Sequence, residues 1–297
     1  MPEIAVATFN VHCGVDGWGR PYDLKEVCRL LDADVLVLQE AWTPLHGPSI
    51  AHQVGAALGY DVVSRPFASG WLFQPRPEDR PRSSWGPTAW TRARTMRSIR
   101  RRARVQRARL PGPTGTSRAF DDSSALSETM ADSHRVPEVA PRFQRGTWDL
   151  SVLTRIPVAA VEFLDLGKLR SDPVRREAVV VTVHDTDAAR RPVSIVGTHM
   201  SHLSDGSPWQ YRRLARLLPA GNVIVAGDMN MPGLPLRAVL PGYRRVVRGP
   251  TWPAWRPVIQ SDHILATPGL AARARGEVAR AARGSDHLPV RASFVVD

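Results

Sequence analysis

The segment Asn222 to Pro232 carries a fully apolar run, Val223-Ile224-Val225-Ala226, into a carboxylate and an amide two positions apart, Asp228 and Asn230. Residues i and i+2 of an extended chain point to one side, so the spacing projects both groups together past the end of a buried strand. Pro232 and Gly233 forbid continuation of that strand. A carboxylate in such a place either caps its own backbone as an Asx turn or meets something that offsets its desolvation, such as a metal ion, a water network or a partner. Similar groups flank other strand-like runs: Asn10, Glu40, His199 and Asp286-His287, with Asp262-His263 inside a sixth. Taken singly, each has an ordinary role. Asn10 suits a turn, Glu40 a helix cap, His199 a hydrogen-bonded core position, and Asp262 an ion pair with one of many arginines. Six repeats of the pattern place all of them at one edge if the strands lie side by side.

The chemistry such a cluster supports is hydrolysis at phosphorus. Carboxylate and amide oxygens are hard ligands that suit Mg²⁺ or Mn²⁺ better than zinc, and no cysteine or HExxH spacing competes. A hard cation polarises phosphoryl oxygens, an aspartate positions or deprotonates the attacking water, and donors hold the transition-state charge. An imidazole paired with a carboxylate suits that last task, because the partner fixes its tautomer and favours the protonated form.

The elements that must position these groups read as a layered α/β body. Ile4 to Phe9 and Val35 to Leu38 are buried strands that end on Asn10 and on Gln39-Glu40. Asp23 caps a helix through Leu31, with Leu24, Val27, Cys28 and Leu31 on one face. Ser49 to Leu58 reads as a helix and Tyr60 to Ser64 as a strand. Leu150 to Thr154 and Val158 to Phe163 read as consecutive strands broken at Ile156-Pro157, and Glu177 to His184 with Pro192 to Thr198 as another antiparallel pair. A helix from Pro208 to Leu218 precedes the central strand, and Ile259 to Ala266 and Leu288 to Val296 complete the set. Hairpins with helices between only some strands favour a mixed-sheet sandwich over a doubly wound parallel sheet.

The totals narrow the class. The 297 residues carry a net charge of +12, and only Lys25 and Lys168 are lysine. Sixteen arginines against seven acidic residues fall between 71 and 145, so three quarters of the surplus belongs to one segment. From about 66 to 145 the periodicity fails in a Pro-, Ser- and Arg-rich stretch, which reads as an insertion into a single domain spanning 1–297. Within it, nine arginines between Arg92 and Arg109 alternate with apolar residues on a candidate basic helix over 85–110. That stretch suits a phosphate backbone or an anionic membrane surface, but reads first as a solvated, partly disordered insertion whose charge keeps it off the core. No run is long enough to span a membrane and the N-terminus lacks a signal-peptide pattern. Two cysteines give no disulfide framework, and the expected location is cytoplasmic.

The order of motifs resembles the endonuclease/exonuclease/phosphatase superfamily, the deoxyribonuclease-I-like fold. The matching pieces are Thr8-Phe-Asn10, Leu38-Gln-Glu40, Leu150 to Arg155, Gly197-Thr-His199-Met, Gly227-Asp-Met-Asn230, Ser261-Asp-His263 and Ser285-Asp-His287. The resemblance implies a four-layer αββα sandwich of two mixed sheets flanked by helices, hydrolysing phosphoesters with Mg²⁺ or Mn²⁺. It implies that Glu40 is the main metal ligand, with Asn10 and Asp286 beside it. Asp228 is then the residue that activates water, and Asn230 orients that water or the phosphate. His287 meets the scissile phosphate, oriented by Asp262, and His199 is the second phosphate-contacting histidine. Arg176, Trp252 and Trp255 are candidate substrate contacts; the two tryptophans stack on a base or wedge a loop. Gly146-Thr-Trp-Asp149 departs from the family's usual Gly-Asn turn, and the loop of abasic-site endonucleases is missing. The remaining motifs look closer to the broad phosphodiesterase branch, with nucleic acid ahead of phospholipid or phosphosugar as substrate. The competing reading is a nucleic-acid- or membrane-binding protein that displays the arginine-rich insertion on a catalytically silent sandwich.

Overall fold

The computed structural model describes residues 3–17, 19–73, 143–172, 174–183, 192–202, 205 and 207–296. Twelve strands among these residues form two six-stranded mixed sheets. The first runs in the order β11-β12-β1-β2-β4-β3, from β1 (Glu3–Asn10), β2 (Val35–Pro44), β3 (Asp61–Phe73), β4 (Phe143–Thr154), β11 (Ala274–Val278) and β12 (Val290–Val295). The second runs β5-β6-β7-β8-β10-β9, from β5 (Val158–Lys168), β6 (Arg175–Val183), β7 (Val193–His199), β8 (Asn222–Asp228), β9 (Arg244–Arg245) and β10 (Asp262–Ala266).

Alternation along the strands explains why their sequences are apolar throughout. In β1, Ile4 and Val6 pack between the sheets, while Ala5, Ala7 and Phe9 pack outward against α1 (Leu24–Leu31) and α2 (Ile50–Leu58). In β8, Ile224 and Ala226 face the other sheet, and Val223 and Val225 face α3 (Pro208–Leu217) and α4 (Gly233–Val239). Every central strand therefore has two apolar faces, and the four-layer sandwich follows. The Asp23 carboxylate accepts from the Glu26 N–H at the start of α1, and the helix buries Leu24, Val27, Cys28 and Leu31, as its periodicity requires.

Several boundaries differ from the sequence reading. β2 does not stop at Gln39-Glu40 but runs on to Pro44 through a bulge, where Leu38 pairs with Ser151 and Ala41 with Asp149. β3 continues to Phe73 and β4 begins at Phe143, so both strands reach into the range assigned to the insertion. Residues 74–142, including the candidate basic helix, lie outside the described residues. β4 and β5, though consecutive, belong to different sheets, because Ile156-Pro157 carries the chain across the sandwich. Asp262 opens β10 instead of lying inside a longer strand, and residues from Ile259 to Ser261 remain in the preceding loop. The short α4, β9, β11 and α5 (Pro268–Ala271) carry too few periodic residues to stand out. No helix among the described residues is long and apolar enough to cross a membrane.

Candidate active site

Strand direction brings the polar groups together. β1 and β2 are parallel neighbours in one sheet, and β7 and β8 in the other, and contacts from Asn10 to Asp228 and from Glu40 to His199 show that all four end at one edge of the sandwich. Asn10, His199 and Asp228 end β1, β7 and β8, and each continues the alternation that faces the opposite sheet. β10 runs antiparallel to β8 with Asp262 directly opposite Asp228, so it begins at that same edge. The bulge in β2 lets two successive residues face inward: Gln39 donates to the Thr8 hydroxyl, and Glu40, at φ 58°, turns its carboxylate toward Asn10. Gly197 sits just below the site, where an added Cβ would come within 2.9 Å of Val37 and Val152 in the facing sheet. Its missing side chain lets the sheets approach there.

Asp228 is the hub. Its Oδ2 accepts from Asn10 Nδ2 at 3.0 Å, with His199 Nε2 at 3.6 Å and His287 Nε2 at 3.9 Å. Its Oδ1 accepts from the Ser261 hydroxyl at 2.6 Å and from the Asn230 backbone N–H at 3.0 Å. The Asx turn and the partnered carboxylate are thus the same residue. Glu40 accepts from Asn10 Nδ2 at 3.2 Å and lies 3.9 Å from His199. His287 Nδ1 is 2.9 Å from Asp262 Oδ2, both side chains being buried. Asp286 enters through His12, whose Nδ1 is 3.5 Å away, and its backbone carbonyl accepts from the Ala254 N–H of the loop bearing Trp252 and Trp255.

The electrostatics follow from burial and pairing. Burial alone would push the Asp228 carboxyl up, but His287, His199 and the hydrogen bonds from Ser261 and Asn10 overcome it and hold the group at about 2. Burial works against the His287 cation as well, yet Asp262 and Asp228, with Asp286 beyond them, raise it to about 10. Burial dominates at Asp262, which is raised despite its histidine partner. The arrangement is an ionised carboxylate facing an imidazolium whose far nitrogen is anchored. Asp228, Asp262 and His287 also present ligand atoms within 4.8 Å of one another, close enough to share a cation.

The other expected residues sit differently. Asn230, at φ 47°, gives its side-chain N–H to the Met200 carbonyl and so braces the turn after β7. Arg176 is 11% exposed, pairs with Asp172 at 3.1 Å and reaches the His199 carbonyl, with Phe67 under its guanidinium. It is part of the wall around His199, not an open cation. Trp255 is 37% exposed in the loop tied to Asp286. Ser261, His12 and Phe67 also belong to the site, although the strand-end pattern does not include them. Ser261 stands in a recognised motif and His12 two residues past Asn10, whereas nothing local marks Phe67, whose ring meets His199 edge-on at 5.4 Å.

Comparison with known proteins gives one consistent answer. The family model described as endonuclease/exonuclease/phosphatase family matches residues 7–287. An endonuclease/exonuclease/phosphatase from Beutenbergia cavernae is similar at 18% identity and TM-score 0.57, over 100% of this chain and 72% of that one. The human Nocturnin catalytic domain with bound sulfate is similar at 14% identity and TM-score 0.53, over 100% and 95%. The 3′ phosphatase NExo from Neisseria, bound to a product DNA hairpin, is similar at 16% identity and TM-score 0.50, over 99% of both chains. At these identities the likeness speaks for the fold. No curated protein matches in sequence.

Proposed function

Because the chain belongs to the endonuclease/exonuclease/phosphatase family, we propose that it is a divalent-metal-dependent phosphodiesterase acting on nucleic acid. The observation that carries this reading is Asp228, an ionised buried carboxylate ringed by His287, His199, Asn10 and Ser261. A related fold bound to a DNA product supports nucleic acid as the substrate.

Asp228 orients the attacking water and takes its proton. His287, kept cationic by Asp262, donates from Nε2 to a phosphoryl oxygen as charge develops there, and His199, whose Nε2 approaches the same Asp228 oxygen, is the second donor. Asn230 holds the turn that fixes Asp228 and Met200 relative to each other. Glu40, Asn10 and Asp286 would hold Mg²⁺ or Mn²⁺. Their donors are hard oxygens, and the chain bends into a left-handed bulge to turn Glu40 inward, which fits such an ion. As placed, Asn10 directs its N–H groups at the Glu40 and Asp228 carboxylates, and its oxygen accepts from the His12 N–H with a lone pair to spare. When bound, the cation supplies Lewis-acid polarisation of the phosphoryl oxygens. The reducing cytoplasm is the proposed location, in keeping with Cys13 and Cys28 forming no disulfide.

Turnover of bis(4-nitrophenyl) phosphate with and without EDTA, followed by Mg²⁺ or Mn²⁺ add-back, tests the reading. Asp228→Asn is expected to lower kcat by about 10²–10⁴-fold with the fold intact. Undiminished turnover in that variant overturns the assignment. Plasmid, single-stranded oligonucleotide, phospholipid and inositol phosphate compared under the same conditions identify the substrate.

A further inference from the structure

The outer face of α3 carries a feature that the catalytic centre does not use. Trp209, Arg212, Arg213 and Arg216 recur at i, i+3, i+4 and i+7, which puts them on one stripe, while Gln210, Tyr211 and Leu214 face the core. With Leu217 they line a shallow depression of about 340 Å³. Trp209 is 49% exposed, yet its position is fixed: the ring lies against Gly167, where an added Cβ would come within 2.9 Å of it. Arg213 is held by the Asp165 carboxylate at 2.8 Å and lies 5.7 Å from the indole centroid. Arg212 and Arg216 are exposed and have no acidic partner among the described residues.

The stripe starts at the same edge as the catalytic centre. Gly167 pairs in register with Arg176, which reaches the His199 carbonyl on the next strand. Two strand spacings, about 10 Å along the sheet, therefore separate Gly167, under the Trp209 ring, from the His199 strand, with Trp209 on the outer face and the catalytic groups on the inner one. From Trp209 the stripe runs about another 10 Å along the helix. A rigid aromatic platform followed by two open guanidinium groups matches a base stacked on a ring and phosphates beyond it. The single aliphatic residue, Leu217, offers too little apolar area for insertion into a bilayer.

We propose that the outer face of α3 is an exosite for the single-stranded flank of a nucleic-acid substrate, with Trp209 stacking a base and Arg212 and Arg216 holding phosphates. The proposal rests on the phosphodiesterase reading for its substrate class, and its test separates the two. Binding of fluorescein-labelled 6-mer and 20-mer single-stranded DNA, and of RNA of the same sequence, is measured by anisotropy in the Asp228→Asn protein across salt concentrations. Adding Arg212→Ala and Arg216→Ala is expected to weaken 20-mer binding and to reduce the log–log salt slope by about 1.4, the value for two lost phosphate contacts on a single strand. Trp209→Ala is expected to weaken it about tenfold. The 6-mer is expected to change less. The same substitutions in the otherwise native protein are expected to leave bis(4-nitrophenyl) phosphate turnover unchanged.

Unaltered 20-mer affinity and salt slope in folded variants overturn the exosite. So does loss of binding to phosphatidylserine vesicles without loss of oligonucleotide binding, which would assign the face to a membrane. Absence of bis(4-nitrophenyl) phosphate turnover in the unmutated protein would instead sink the catalytic reading, while the oligonucleotide measurements would still decide the exosite.

Discussion

Asp228 and Asp262 oppose each other across β8 and β10, a like-charge pair that is unfavourable on an ordinary sheet surface. His287 makes it tolerable by pairing with one carboxylate at 2.9 Å and approaching the other at 3.9 Å. Replacing His287 with Asn therefore leaves Asp262 buried without its cation beside Asp228, which keeps only His199, at a cost of about 3–5 kcal/mol. Urea unfolding of His287→Asn should show that loss, and adding Asp262→Asn should recover part of it, because the two changes couple. Turnover should stay low in both. His263, next to Asp262, faces the other way and gives Nε2–H to the Met231 carbonyl at 2.9 Å. Burial first, then the nearby Arg245 charge, lower its pKa to about 4. The folded state therefore takes up this proton later than the unfolded chain, whose histidine titrates near 6.5. Stability from this residue is intact above about 6.5 and declines as pH falls toward 4, by about 3 kcal/mol in all. Chemical unfolding of the native protein and His263→Gln across that window should show a shallower decline in the variant.

At the scale of elements, the site depends on two sheets meeting closely at one edge. Gly197 in β7 marks a close approach of the two sheets below the proposed catalytic groups. Gly197→Val should drive Val37 and Val152 outward, destabilise the protein by about 1–3 kcal/mol and separate Glu40 from His199. Urea unfolding measures the first effect, and a lower kcat at unchanged protein concentration reports the second. Helix α1 and the four central strands were legible in sequence because their period and caps are local. The β2 bulge was not. Nothing in Leu38-Gln-Glu-Ala says that Gln39 and Glu40 share one partner position on β4, since a bulge belongs to the pair of strands. The separation of β4 from β5 was hidden for a similar reason: a short turn at Ile156-Pro157 serves a hairpin and a sheet crossover equally well.

At the scale of the whole molecule, most of the net positive charge falls between residues 71 and 145, outside the elements that carry the candidate site. Phe73 and Phe143 are paired partners at the ends of β3 and β4, so the chain leaves and re-enters the body at neighbouring points. The entropic cost of joining such points grows only with the logarithm of the number of residues between them. A protein lacking residues 85–110 should accordingly keep its thermal transition and its turnover of bis(4-nitrophenyl) phosphate. A loss of turnover in the folded deletion would show that the arginine-rich segment acts in the site itself.

The sequence alone determined which residue types end the buried strands, and their order along the chain was enough to indicate the family and the four-layer architecture. Those are properties of local pattern and survive without coordinates. Which groups share a proton or a charge was decided only by the tertiary structure. Parallel pairing in both sheets makes separate strand ends coincide, and low-dielectric burial makes each neighbour count. Asp228 is held at about 2 because two imidazoles lie within 4 Å of it. Arg176 became a support for His199 for the same reason, since Asp172 and Phe67 reach it from other elements. Contacts between residues distant in sequence set those energies, and no local pattern encodes them.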